Sequence, residues 1–264
     1  MQQIRKDIYH VEIVPPKQDS EKLDEDLEKF STKYRRVIDS GYSVGITDNS
    51  MGILSFQGTE LIEELDLPVA PEQVMIHLNT FHTKDDLDNI LDICQTKGIR
   101  DLLVITGDGS ERLPRLHPSD VGASDVQSVT SVELLQYINR QYPGAFVLGV
   151  AFNPYEPEEH EFEKMERKLK AGASFIITQP LIERNEIVDR LLGKHPEIPL
   201  FIEAWMSKKL HLLSEAVGYE IPETTEFDPI SALKMLHSLY PQCGLYLSQL
   251  GFKTQYDLIK DIWA

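Results

Sequence analysis

Apolar residues return along this chain in two alternating rhythms. Eight short runs rich in Val and Ile have the length and composition of buried strands: His10–Val14, Tyr42–Ile46, Val74–Leu78, Leu102–Thr106, Phe146–Val150, Phe175–Thr178, Leu200–Ile202 and Gly244–Leu247. Between them apolar positions recur every third or fourth residue, as in Leu23, Leu27, Phe30, Tyr34 and Val37, or Leu87, Ile90, Leu91 and Cys94. That spacing puts them on one face of a helix. Helix starts are marked by the pairs Thr83 with Asp86 and Thr130 with Glu133, which form capping boxes, and by Asp228-Pro229, an N-cap followed by proline. Gly41 and Gly193 are expected to end helices, and Thr254–Trp263 to form a closing helix.

Alternating strands and helices imply a parallel sheet. Eight repeats of about 33 residues predict a single closed (β/α)8 barrel, the TIM-barrel fold, over residues 1–264. A doubly wound open sheet is the alternative, but no G-x-G-x-x-G follows the first strand. The connection from Gly107 to Val129 is longer than βα loops usually are, and reads as a lid or an ordered excursion.

Composition narrows the function. The chain has 264 residues, 41% hydrophobic, enough for one large core. Its 43 acidic against 26 basic residues give a formal net charge of -17, which repels phosphate backbones and anionic lipid headgroups, so nucleic acid and membrane surfaces are excluded as partners. Cys94 and Cys243 are too few and too isolated for a disulfide framework or a metal cluster. No stretch approaches the ~18 apolar residues of a spanning helix, and the N-terminus carries no apolar signal region. A reducing, cytoplasmic location is expected, and no metal site.

In such a barrel the C-terminal ends of the strands build the active site. Glu12 interrupts an apolar strand, where a carboxylate is costly unless it is paired or works as an acid with a raised pKa. It is read as a general acid, the alternative being an outward side chain paired with a helix lysine. Strand two ends in Thr47-Asp48-Asn49, strand five leads to Phe152-Asn153 and strand seven to Glu203-Ala204-Trp205. Asp108 lies between two glycines and would hold a cofactor heteroatom or serve as a turn aspartate. Gln179 both donates and accepts, which suits the edge of a heterocycle or a strand end. His77 by itself reads as a core histidine, and Trp205 as a stacking platform or rim packing.

Three segments carry a family resemblance. Residues 11–17 (VEIVPPK) resemble the F-E-F-F-P-P-R opening of methylenetetrahydrofolate reductases, residues 105–108 (ITGD) their L-R-G-D, and residues 168–179 (KLKAGASFIITQ) their K-x-x-A-G-A-x-x-x-I-T-Q. They fall in order on strands one, four and six, and the likeness extends over nearly the whole chain. The resemblance implies an oxidoreductase that passes hydride from NADH or NADPH through FAD to 5,10-methylenetetrahydrofolate, giving 5-methyltetrahydrofolate. It implies Glu12 as general acid, Asp108 as a catalytic residue beside flavin and pterin, and Gln179 as a folate ligand. His77 and Lys168 match FAD-binding positions, as does Phe152, where the family has tyrosine. The pattern departs at Thr106, Phe152, Glu156 and residues 45–51, which are flavin-side positions. Arg112, Arg115 and His117 would then supply phosphate contacts or belong to a solvated loop. Lys208 and Lys209 would meet a folate's glutamate tail or stay solvated. Alternatives are a flavin-free reductase, one served by an electron-donating partner subunit, a folate-dependent one-carbon transferase or demethylase accessory, and a folate-binding subunit. Self-association into a homo-oligomer fits the family.

Overall fold

Along each strand the side chains alternate between two destinations, and that alternation builds the molecule. The structure, a computed structural model, describes residues 4–222 and 224–262. Its strands are β1 (Tyr9–Ile13), β2 (Ser43–Ile46), β3 (Val74–Leu78), β4 (Asp101–Val104), β5 (Val147–Phe152), β6 (Phe175–Thr178), β7 (Leu200–Trp205) and β8 (Gly244–Ser248). Each pairs in parallel with the next, and β8 pairs with β1, so the sheet closes in strand order as the expected (β/α)8 barrel. The helices are α1 (Leu23–Asp39), α2 (Gly58–Glu64), α3 (Lys84–Lys97), α4 (Ser131–Gln141), α5 (Glu158–Lys170), α6 (Glu186–Lys194), α7 (Leu210–Val217) and α8 (Pro229–Leu239).

Outward residues such as Val11, Ile13, Val44, Ile46, Val150 and Phe152 join the helix layer, where α1 contributes Phe30, Tyr34 and Val37. Inward residues Met75, Leu103, Val147, Phe175, Ile177, Phe201 and Tyr246 form a separate cluster with Ile4. This inner core needs small partners for large ones. A Cβ at Gly149 would sit 2.1 Å from the Phe175 ring, and one at Gly244 2.3 Å from the Phe201 ring. The two phenyl rings therefore fill the lumen only because the neighbouring strand offers no side chain.

The expected caps form. Thr83 and Thr130 make capping boxes, and the Asp228 carboxylate accepts from the Ser231 N–H. Gly41, at φ +76°, follows the end of α1. Gly193 does not end a helix: α6 continues through it to Lys194, and His195 is the C-cap. Nor does a closing helix form after β8. Residues 252–258 make successive turns leading into a 3-10 helix at Ile259–Asp261, and Trp263 lies outside the described residues. Tertiary contacts decide this. Phe252 and Tyr256 stack at 5.1 Å, and Arg36 of α1 donates to the Phe252 carbonyl at 2.7 Å while lying 4.3 Å from the Tyr256 ring centre.

Alternation is also broken before β8, where α7 and α8 both follow β7. Leu210, Leu213 and Val217 of α7 pack with Trp205 and Ile221 as a small apolar cluster of their own. The 107–129 connection is an ordered excursion: the Leu116 N–H donates to the Thr80 carbonyl, and His117 caps a 3-10 helix at Pro118–Val121. Among the described residues no helix is long and apolar enough to cross a membrane, and no cluster of three metal-ligating side chains is assembled.

Candidate active site

Toward the C-terminal ends of the strands the inward positions carry a cluster of ionisable side chains. Glu12, His77, Glu203 and Tyr246 turn inward and, with Thr47, Asp48, Asp108 and Gln179, line a cavity of about 190 Å³ whose apolar walls include Leu103, Ile105 and Ile177. A wider vestibule of about 570 Å³ shares Glu12, Asp108, Gln179 and Glu203 and adds Val14, Met51, Trp205 and Leu212. Glu12 thus takes the inward setting, not the outward one.

A hydrogen-bond chain crosses the lumen. The Tyr246 hydroxyl donates to Glu12 Oε2 at 3.2 Å and stands 2.9 Å from His77 Nε2. With the phenol hydrogen on Glu12, the histidine supplies the hydrogen on its side. Burial lowers the His77 pKa to about 4, so the imidazole is neutral at neutral pH. Burial raises the Glu12 carboxyl against the opposing effect of the Tyr246 hydrogen bond. The Glu203 carboxyl is raised first by burial and then by the charge of Glu12. Burial likewise holds the Tyr246 phenol far above its ordinary value. Gly45 makes this arrangement possible, because a Cβ there would lie 2.9 Å from the Tyr246 hydroxyl oxygen.

The β2 end supplies a further acid, and this one is buried. Asp48 Oδ2 accepts from the Asn79 N–H at 2.8 Å and pairs with His82 Nε2 at 2.7 Å, while Oδ1 accepts from the Asn49 and Gln57 amides at 3.2 and 3.4 Å. The Asn79 side chain donates to the Asp48 carbonyl and accepts from the Phe81 N–H, so the β2 and β3 loops are cross-tied. Asp108 accepts from the Met51 N–H at 3.1 Å and closes the rim over β2. Asn49 and Met51 hold left-handed φ of 44° and 58°, as does Gln249 at 57° above β8. Such strain collects where function fixes the backbone.

Gln179 is anchored by its N–H to the Phe152 carbonyl at 2.8 Å, and its side-chain amide makes no hydrogen bond among the described residues. Trp205 is at once packing and wall: it is 7% exposed, seated on the α7 cluster, and lines the vestibule with an indole N–H that has no partner among the described residues. Glu12, His77, Asp108 and Gln179 are therefore brought together, and Trp205 stands above them.

Phe152 and Lys168 are placed elsewhere. Phe152 has outward parity and packs against Phe162, with ring centres 5.7 Å apart. The Lys168 ammonium donates to the Ala151 carbonyl at 2.6 Å and lies 4.0 Å from Glu161, and burial lowers its pKa to about 8. Neither lines the inner cavity or the vestibule. Arg112 pairs with Asp19, Arg115 lies over the Phe81 ring, and His117 caps its own helix. Sequence reasoning met Asp48 and Glu203 only as polar residues at strand ends, without a role, and passed over Tyr246. The signal for Glu203 was the one that exposed Glu12, a carboxylate inside an apolar strand.

The model of the methylenetetrahydrofolate reductase family matches residues 1–195. The chain belongs to that family. Membership implies an oxidoreductase acting on a folate. The match includes Glu12, His77, Asp108 and Gln179, whereas Glu203 and Tyr246 lie beyond it. Among solved structures, a Clostridium thermocellum protein that binds two copies of 5-methyl-5,6,7,8-tetrahydrofolic acid shares the fold with a TM-score of 0.63 at 14% identity, over 97% of this chain and 92% of that one. The 2,3-dimethylmalate lyase of the PEP mutase/isocitrate lyase superfamily gives a TM-score of 0.52 at 10% identity, over 98% of this chain and 81% of that one. At these identities the likeness is one of fold.

The family resemblance implies FAD, and the residues present do not fit it. A flavin ring would find polar groups in the inner cavity, but among the described residues no Lys or Arg lines that cavity or the vestibule to hold its diphosphate. The Lys168 ammonium is engaged, Phe152 faces the helices, and the first turn of α5 carries Glu158, Glu159 and Glu161 just after Glu156. Carboxylates at a helix N-terminus occupy the place an anion would take.

Proposed function

We propose that the protein reduces 5,10-methylenetetrahydrofolate to 5-methyltetrahydrofolate, with Glu12 as general acid and NADH or NADPH as a second, dissociable substrate instead of a resident FAD. One observation carries this reading. Glu12, Asp48, Asp108 and Glu203 line the inner cavity, and among the described residues no lysine or arginine lines that cavity or the vestibule. A site of this kind favours a transition state that gains positive charge, and it offers no cation to hold a diphosphate tightly, so a dinucleotide would bind it as a dissociable substrate and not as a resident group.

Opening the methylene-bearing ring of the folate produces such a charge. The Glu12 O–H gives its proton to a ring nitrogen, the adjacent C–N bond breaks with its electron pair going to that nitrogen, and the carbon is left as an iminium cation. Hydride from the nicotinamide then adds to that carbon and makes the methyl group. Gln179 hydrogen-bonds the pterin edge and Asp108 faces it from the rim. Trp205 walls the vestibule, where the nicotinamide ring enters. Lys208 and Lys209 are exposed at the start of α7, whose later residues Leu212, Glu215 and Ala216 line the vestibule, so the folate's anionic tail leaves the cavity on that side. A role in folate binding alone would not need an acid inside the barrel at Glu12.

Gln179→Ala weakens 5-methyltetrahydrofolate binding about tenfold, the worth of one well-made hydrogen bond. Titration calorimetry measures it. Unchanged affinity would place the folate elsewhere.

A further inference from the structure

We propose that Glu203 is a second catalytic residue of this site: it shares one proton with Glu12, and its carboxylate faces the iminium cation once Glu12 has delivered that proton. The identity of the cation rests on the reductase reading above. The pair itself rests on both carboxyls lining the same two cavities from the strands on either side of β8.

Glu203 is in register with Tyr246 on β8, and the Tyr246 hydroxyl donates to Glu12 on β1. The phenol therefore stands between two strands that each carry a carboxyl group. Both carboxyls line the inner cavity and the vestibule, so a ligand spanning the two meets both. Glu203 is held in place along its backbone, its N–H donating to Thr178 Oγ1 at 3.1 Å and its carbonyl accepting from the Leu181 N–H at 3.0 Å. The groups that share the cavity with it are Glu12 from β1, Asp48 after β2, His77 from β3, Asp108 after β4, Gln179 after β6 and Tyr246 from β8. None of these is a cation at neutral pH. His77 and Tyr246 are kept neutral by burial. Two partly buried carboxyls in one cavity with no cation beside them do not both ionise readily, so a shared proton takes the place of a counter-ion.

The charges balance through the step. The proton leaves Glu12 for the ring nitrogen, the folate becomes cationic as its C–N bond breaks, and the pair gains one negative charge. Hydride from the reduced nicotinamide discharges the cation, and a proton from water restores the pair. One carboxyl thus serves as acid and the other as electrostatic partner, a division of labour set by environment.

The test is an infrared pH titration of the folded protein without any folate, comparing wild type with Glu203→Gln and Glu12→Gln. A protonated-carboxyl band should persist to neutral pH in the wild type, and the band from the remaining partner should ionise at lower pH in each variant. Asp101 is buried at the N-terminal end of β4 and pushed up to about 7 by burial, so it gives a band that neither variant removes. In turnover, Glu203→Gln should lower kcat about 10²-fold and move the alkaline limb of the rate profile to lower pH. Glu203→Asp, which keeps the charge, should bring the limb back. A Glu203→Gln protein whose band and limb both coincide with wild type overturns the proposal. Should that variant not fold, Glu12→Gln applies the same test from the other side, and an unmoved Glu203 band overturns the pair. A shared-proton band in a protein that reduces no folate would uphold the pair and overturn the reductase reading, so the two fail separately.

Discussion

Replacing Glu12 by glutamine lowers the rate of 5-methyltetrahydrofolate formation by about 10²–10⁴-fold, the range spanned by general acid catalysis, and leaves the protein folded and able to bind folate. Glutamine fills the same space, and its amide oxygen still accepts the Tyr246 hydrogen bond now made to Glu12 Oε2. Only the transferable proton is lost. The loss therefore falls on kcat with folate affinity largely kept, as for an interaction made in the transition state alone. The pH profile carries the sign of the mechanism. Burial raises the Glu12 carboxyl, so the wild-type rate is maintained toward neutral pH and falls as pH rises through the raised value, where the acid ionises. That limb disappears in the variant. Single-turnover rates across pH, with folate affinity measured alongside, check both parts. A residual rate within tenfold of wild type, on the same profile, would remove Glu12 from the chemistry.

Asp48→Ala destabilises the fold by about 3–5 kcal/mol, because it takes one acceptor away from several buried donors at once. The Asp48 and His82 side chains are 2% and 3% exposed, and their contact is 2.7 Å. Alanine leaves the imidazole, the Asn79 N–H and the Gln57 amide without the acceptor they share. Each buried donor left unmet costs about 1–3 kcal/mol. Because Asn79 also ties the β2 loop to Phe81, the rim that carries Asp108 loosens with it. Denaturant unfolding measures the effect as a lower midpoint at unchanged slope. Asp48→Asn, which keeps an acceptor for the Asn79 N–H, loses less. A change below about 1 kcal/mol would show that water replaces these bonds and that the pair does not hold the rim.

The barrel was legible because parallel strands buried on both faces read as apolar runs, and the capping boxes at Thr83 and Thr130 fixed two helix starts. Local signals failed where tertiary contacts outweigh them. Gly193 keeps helical geometry inside α6, and the segment after β8 is held by Arg36, Phe252 and Tyr256 instead of coiling into a helix. In the site, Glu12 stood out as a carboxylate in an apolar strand. Glu203 sent the same signal, but the expected strand stopped at Ile202, and β7 in fact runs on to Trp205. Tyr246 was hidden because a tyrosine in a strand is ordinary, and its importance comes from Gly45, a vacancy on another strand. For Phe152 and Lys168 the motif gave position in the chain but not direction. One residue of parity sends Phe152 to the helix layer, and an internal carbonyl engages Lys168.

The decisive measurement is nicotinamide oxidation by the purified, flavin-stripped protein given 5,10-methylenetetrahydrofolate anaerobically, with the visible spectrum recorded throughout. The site described here predicts oxidation of NADH or NADPH, one 5-methyltetrahydrofolate formed per nicotinamide consumed, and no flavin absorbance. A protein that stays inert until FAD is added, and then retains it stoichiometrically, would contradict it.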